Sequence, residues 1–312
     1  TPKPSSAASD VYKRQVSEFL QQVVNGLTLG SVYAIVALGF TLIFGVLQLI
    51  AFAQGAVYMI GAFTGFLVFG LLGGVNPIIA VVVAIVAAAV VGALINMGID
   101  RIGYRPIRGS QRIMPLISGI GLYIFLENLS GLIFGREPKA YPAFFPGGQV
   151  SLGPVVISIK QIIVFSIAMI CMLLLYLFID RTRIGLAMRA TAERPSAAGL
   201  MGINPEMVII ITFALAGALS GVAGVLVGTY VGVATPTMGF LIGIKAFAAA
   251  VIGGIGSIPG SLIGGLAIGL IEAMAAGYIS SAWGDAIVFA ALVLVLLIKP
   301  SGILGARTSV KV

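Results

Sequence analysis

The chain has 312 residues, a net charge of +8, 59% hydrophobic residues and only 9% charged ones, too little polar surface to coat a soluble globule of this length. It contains no histidine, which removes the familiar zinc and imidazole-base chemistries, and its single cysteine, Cys171, lies in the apolar run 164–178, so the chain cannot build a disulfide framework or a thiolate metal site. A positive charge of this size in a soluble protein would suggest nucleic acid, but here the basic residues fall between apolar runs, where they set topology.

Residues 1–15 are polar, rich in Ser, Ala and Pro, and lack the apolar core of a signal peptide, so they read as a disordered or foreign tail. Residues 16–312 read as one transmembrane domain. Its apolar stretches are 19–47, 56–72, 77–98, 115–134, 162–179, 207–231, 240–251, 262–277 and 287–298. Eight or nine of them approach the roughly 20 residues that cross a hydrocarbon core of about 30 Å. The fold class is therefore all-α, a polytopic transmembrane helical bundle with broken or re-entrant segments and an internal repeat.

Arg101, Arg105, Arg108 and Arg112 follow the third span, and Arg181, Arg183, Arg189 and Arg194 follow the fifth. Both loops are expected on the cytoplasmic side, two spans apart, which makes residues 135–158 an external loop. Lys299, Arg307 and Lys311 place the C-terminal end inside as well, with either a short extra crossing or a re-entrant segment around 240–260.

Two places read as broken helices. At Ala53-Gln54-Gly55-Ala56 a polar residue and a glycine interrupt an apolar stretch. The second interruption, 253–260 (Gly-Gly-Ile-Gly-Ser-Ile-Pro-Gly), is far stronger, because four glycines and a proline in eight residues do not continue a helix. Paired glycine-interrupted segments of this kind point to internal repeats meeting at a translocation path, with Gln54, Gly55, Gly254, Gly256, Ser257 and Pro259 as its candidate lining. The plainer alternative for 253–260 is a tight turn between two spans. Gly217, Gly221, Gly224 and Gly228 recur along one face of a span and read as a packing stripe. Ionisable residues inside apolar runs cost about 2.5–3.5 kcal/mol at a helix centre, and three are found: Glu127, Lys245 and Glu272. Lys245 and Glu272 flank the second break and can pair or belong to the path, while Glu127 is expected near the external end.

The stretch 181–206 is too charged to be membrane-embedded. Within it Pro195 suits the first turn of a short helix and Gly202 its left-handed C-terminal cap. Ala197, Leu200 and Met201 share one face at helical spacing, and Asn204-Pro205-Glu206 caps and starts the next span. The helix is either a knob for a groove on another subunit or an amphipathic element resting on lipid.

The segment 193–204 (Glu-Arg-Pro-Ser-Ala-Ala-Gly-Leu-Met-Gly-Ile-Asn) resembles the coupling loop of ABC importer permeases. Lys245-Ala246-Phe247, the glycine run 253–260 with Gly264-Gly265, residues 25–31 (Asn-Gly-Leu-Thr-Leu-Gly-Ser), Tyr104-Arg105-Pro106-Ile107-Arg108 and the closing Pro300-Ser301-Gly302-Ile303-Leu304-Gly305 are similar to the branched-chain amino acid ABC transporter permease family. The resemblance spans about residues 16–306. It implies a permease of the plasma membrane, the inner membrane in a bacterium, that pairs with a second homologous permease, two cytoplasmic ATPase subunits and an extracytoplasmic binding protein. The cargo it implies is leucine, isoleucine or valine, and ATP and Mg²⁺ would be bound by the ATPases, with no cofactor or metal in this chain and no catalytic residue. Glu193, Ala197, Ala198, Gly199 and Gly202 would then form the coupling contact. Where the family commonly has Asn-Phe-Ala-His-Gly-Glu, this chain reads Ala51-Phe52-Ala53-Gln54-Gly55-Ala56, which keeps urea, short amides and other amino acids open as cargo. An ion-coupled secondary transporter using Lys245, Glu272 or Glu127 is the rival from another class. An enzyme is not expected, because no acid pair or activated nucleophile can be assembled.

Overall fold

The structure is a computed structural model that describes residues 4–73, 76–111, 113–142, 148–152 and 155–305. Helix α1 (Pro4–Leu47) is followed by α2 (Gln54–Leu71), α3 (Pro77–Ile99) and α4 (Ile113–Phe134). A short strand β1 (Lys139–Ala140) and a hairpin of β2 (Gln149–Leu152) and β3 (Val155–Ser158) lead into α5 (Ile159–Arg181). Then come α6 (Arg183–Glu193), α7 (Pro195–Leu200), α8 (Pro205–Val231), β4 (Val233–Ala234), α9 (Met238–Gly253), α10 (Ile258–Tyr278) and α11 (Gly284–Ile298). Among the described residues eight helices are long and apolar enough to cross a membrane, and α9 is a shorter apolar one.

Local chemistry explains most of these boundaries. The Asn76 side chain accepts a hydrogen bond from the Ile78 N–H at 3.0 Å with Pro77 in the first turn of α3. Ser158 and Gln161 form a reciprocal capping box on α5. Asn204 accepts from the Glu206 and Met207 amides at 3.0 and 3.3 Å, and Gly232 closes α8 at φ 80°.

The polar tail is not a separate coil. From Pro4 onward it is helix continuous with the first span, although Tyr12 remains largely exposed. Adding residues to an existing helix avoids the unfavourable nucleation step, so a polar segment joined to the end of a span can continue it.

Two contacts establish sidedness. Arg105, between α3 and α4, forms an ion pair with Glu206 at the start of α8, which joins the two basic loops at one end of the bundle. At the other end the Val156 N–H donates to Gln21 at 3.1 Å, and β1 pairs with β4. Arg112, Arg307 and Lys311 lie outside the described residues. Four transits, α8 to α11, return the chain to the cytoplasmic end, where the Ile303 N–H bonds the Ile252 carbonyl at 2.8 Å. Helix α9 is thus a short crossing: its 16 residues span about 24 Å at 1.5 Å per residue. The segment 253–260 is the tight turn, with residues 254–257 joining α9 to α10.

Helix α1 is the axis of the bundle. Residues 32–38 are all buried, the mark of a helix apolar on every side and enclosed by others. It runs antiparallel to α10, with Gly26 against Leu270 and Gly30 against Leu266. The glycine stripe of α8 packs as expected: a β-carbon at Gly217 would overlap the Gly92 carbonyl of α3, and one at Gly221 would overlap Ala88. Helices α3, α4, α5 and α11 turn Val86, Leu132, Leu174 and Leu297 outward, as a lipid-facing layer should.

Candidate functional site

Of the two regions singled out in the sequence, the cytoplasmic corner is the more open. Thr182 ends α5 and caps α6, accepting from the Gly185 N–H at 3.1 Å. Gly185, Met188 and Thr191 form the buried side of α6. Arg194 then leaves the helical conformation at φ −151°, and Pro195 opens α7. Gly202 at φ 84° closes α7, and the Ile203 N–H returns to the Ala198 carbonyl at 3.1 Å, a Schellman closure.

This closure decides which residues face out. Leu200 and Met201 are 89% and 83% exposed, and Ala197, Gly199 and Gly202 are exposed with them. Ala198 is buried, so of the residues expected to form the coupling contact it faces the bundle, and Glu193 belongs to α6. The reason is local: a helix only 6 residues long has one inward line, and a small side chain there lets the backbone sit close.

In the interior, Lys245 of α9 pairs with Glu272 of α10 at 2.9 Å, as the sequence allowed, and also with Asp285 of α11 at 2.5 Å. The ammonium lies 5.8 Å from the centre of the Tyr33 ring, and Lys245 is 6% exposed. Asp285 was missed because an acid in the first turn of a helix reads as a partner of the helix dipole. Asp100 was missed too, although it is buried and paired with Arg108. Glu127 lies toward the external end of α4, partly buried.

The predicted path residues do not come together. Gln54 is fully buried, and its amide donates to the Ala216 carbonyl and to Ser220 Oγ, each at 2.6 Å. Gly55 backs onto Gly239 and Gly243 of α9 rather than onto the second break. Both therefore pack at the junction of α2, α8 and α9, where the Gln54 amide nitrogen satisfies two α8 acceptors while its carbonyl oxygen is buried without a hydrogen-bond partner. Gly254, at φ 108°, seats the backbone of Gly302 and Gly305. Gly256, Ser257 and Pro259 do face open space, a cavity of about 320 Å³ at the cytoplasmic end shared with Thr41, Asp180 and Arg189. Among the described residues no group of histidine, cysteine or carboxylate side chains is placed to hold a metal ion.

Residues 22–296 match the family model described as branched-chain amino acid transport system / permease component. The chain is 44% identical over 298 residues to the high-affinity branched-chain amino acid transport system permease protein BraD of Pseudomonas aeruginosa, covering 93% of this chain and 97% of that protein. It is 43% identical over 294 residues to the corresponding permease protein LivH of Escherichia coli K12, covering 92% and 96%. With eight membrane-capable helices, an exposed cytoplasmic helix and this likeness over nearly its whole length, the chain belongs to the permease component family of branched-chain amino acid transport systems.

Proposed function

We propose that the protein is the membrane-spanning permease of an ABC importer that moves leucine, isoleucine and valine inward. The observation that carries the reading beyond family membership is the α7 tip. Two large apolar side chains are almost fully exposed at the cytoplasmic end, and burying such a side chain from water in a partner's groove is favourable by about 1.5–3 kcal/mol. That partner is an ATPase, two copies serving this permease and a second, homologous one, with ATP and Mg²⁺ held on the ATPases. A binding protein delivers cargo at the external end, where β2 and β3 form a hairpin.

The corner is built to transmit force. Helix α7 hangs between α6, which is locked to α5 at the Gly185 turn, and α8, whose first turn is tied to Asn204 and Arg105. A displacement of α7 by a moving ATPase therefore pulls on α5 and α8 together. This lets the bundle exchange inward-open and outward-open states through a modest bias.

The test is uptake of radiolabelled leucine, isoleucine and valine by proteoliposomes holding the assembled transporter, its binding protein outside and ATP inside. ATP-dependent uptake that a catalytically dead ATPase abolishes supports the reading. Uptake that follows an imposed ion gradient without ATP overturns it. Competition by urea or short amides, but not by valine, would move the cargo to the alternative that the neutral Gln54 and Ala56 keep open.

A further inference from the structure

The motif Tyr104-Arg105-Pro106-Ile107-Arg108, part of the family resemblance, has no role in the coupling corner beyond the Arg105 ion pair. In the fold it forms one wall of a cavity of about 400 Å³ at the cytoplasmic end, beneath the connection between α1 and α2. A volume of this order is that of a small-molecule pocket. Phe44, Leu49 and Leu116 line its apolar side, and Gln48, Arg108 and Ser110 its polar side.

Two features mark the polar side as more than a crevice. Gln48 is the one non-glycine residue at positive φ, 54°, among the described residues. It follows the last residue of α1, with its N–H bonded to the Phe44 carbonyl at 2.7 Å, a position where glycine is the usual occupant. A glutamine that tolerates backbone strain at a cavity wall is a local rule broken, the kind of exception found at functional sites. Arg108 is the second. Its Nη2 is bound to buried Asp100, while the side chain, 21% exposed, also lines the cavity, and a guanidinium paired through one nitrogen keeps further donors for an acceptor such as a carboxylate oxygen.

We propose that this cavity is a cytoplasmic-side binding site for an aliphatic amino acid, with the carboxylate accepting from Arg108, the Gln48 amide completing the polar contact, and the branched side chain against Phe44, Leu49 and Leu116. The inference rests on the transport reading, and it adds a site that cargo reaches from inside, without the binding protein. Occupancy there would report the internal amino-acid level to the connection between α1 and α2.

The test is equilibrium binding of L-[³H]leucine to the assembled transporter in phosphatidylcholine nanodiscs without binding protein, with ATP-driven uptake measured in parallel on the same purified transporter reconstituted into proteoliposomes with binding protein outside. Wild-type transporter is expected to bind leucine. Gln48→Gly is expected to weaken binding about tenfold, the loss of one hydrogen-bonding partner, while its unfolding temperature stays equal or rises because glycine relieves the φ strain. Gln48→Asn, which keeps an amide and tolerates the conformation, should recover part of the affinity. Leucine binding unchanged in Gln48→Gly overturns the proposal, as does absent wild-type binding beside intact ATP-driven uptake. Absent uptake in wild type marks failure of the transport reading instead. If phosphatidylglycerol added to the nanodiscs displaces leucine and is itself retained by wild type but not by Gln48→Gly, the cavity is a lipid headgroup site and the proposal falls.

Discussion

Helix α7 and the Lys245 cluster attract attention for opposite reasons, a charged loop in one case and a charge inside an apolar run in the other, and the fold treats them in opposite ways. Leu200 and Met201 are exposed, held up by a six-residue helix. Lys245 is sealed between three helices with two carboxylates and an aromatic ring. Changes at the first should be read in partner binding with stability intact, and changes at the second in folding. The lesson is that an unusual residue type flags a region, while burial decides what the region is for.

The strongest way to break this contrast is Lys245→Met. It leaves the largely buried Glu272 without its cation beside a half-exposed Asp285, and removing one partner of a fully buried ionic group destabilises by about 3–5 kcal/mol, an upper bound here because an exposed pair contributes far less. Thermal unfolding in detergent should show a large drop, with much of it recovered in the triple variant Lys245→Met, Glu272→Gln, Asp285→Asn. A Lys245→Met protein with wild-type stability and no transport would instead assign the cluster to the path.

Ala198→Arg, compared with Ala197→Arg, sharpens the contrast within α7 itself. Ala198 is buried and Ala197 exposed, so the first substitution should overpack the corner by about 1–3 kcal/mol, whereas the second should leave unfolding unchanged. Equal effects on stability would show that the inward line of α7 has been drawn wrongly.

The double variant Leu200→Asp, Met201→Asp tests the open region directly. ATPase co-purification should fall about tenfold or more, as expected for loss of central apolar contacts, while stability moves by no more than about 0.5 kcal/mol. Undiminished association would remove the exposed tip from the docking surface.

The smallest effect is expected at Tyr141, in the external segment. Its hydroxyl donates to the Ala62 carbonyl and its ring meets Gly65 and Gly228, joining α2 to α8. Tyr141→Phe should cost about 1 kcal/mol. Burial holds the phenol pKa above its ordinary value. Its contribution is therefore complete below the unfolded-state pKa of about 10 and lost as pH rises beyond it. The wild type should lose stability above about pH 10 more steeply than Tyr141→Phe.

Much of the fold was legible because its determinants are local. Asn76-Pro77, Ser158 with Gln161 and Asn204-Pro205 each start a helix with atoms inside a few residues of sequence, and the stripe from Gly217 to Gly228 declares a close-packed face wherever its partner comes from. The candidate site was less legible. Gln54 reads as an interruption until α8 supplies the Ala216 carbonyl and Ser220 hydroxyl, 162 and 166 residues away, that make it a packing residue. Ala198 and Leu200 differ by two positions, and only the Schellman closure shows which one points out.

The sequence alone determined that this chain is a membrane bundle, roughly where its apolar spans lie and which loops share a side, because hydrophobic run length and loop charge act over a few residues. Only the tertiary structure decided that Lys245 is balanced by Asp285 as well as Glu272, that 253–260 is a turn, and that a cavity opens under Gln48. Those depend on which helices become neighbours, and in a bilayer that choice is made by small-residue packing and polar satisfaction between segments far apart in the chain.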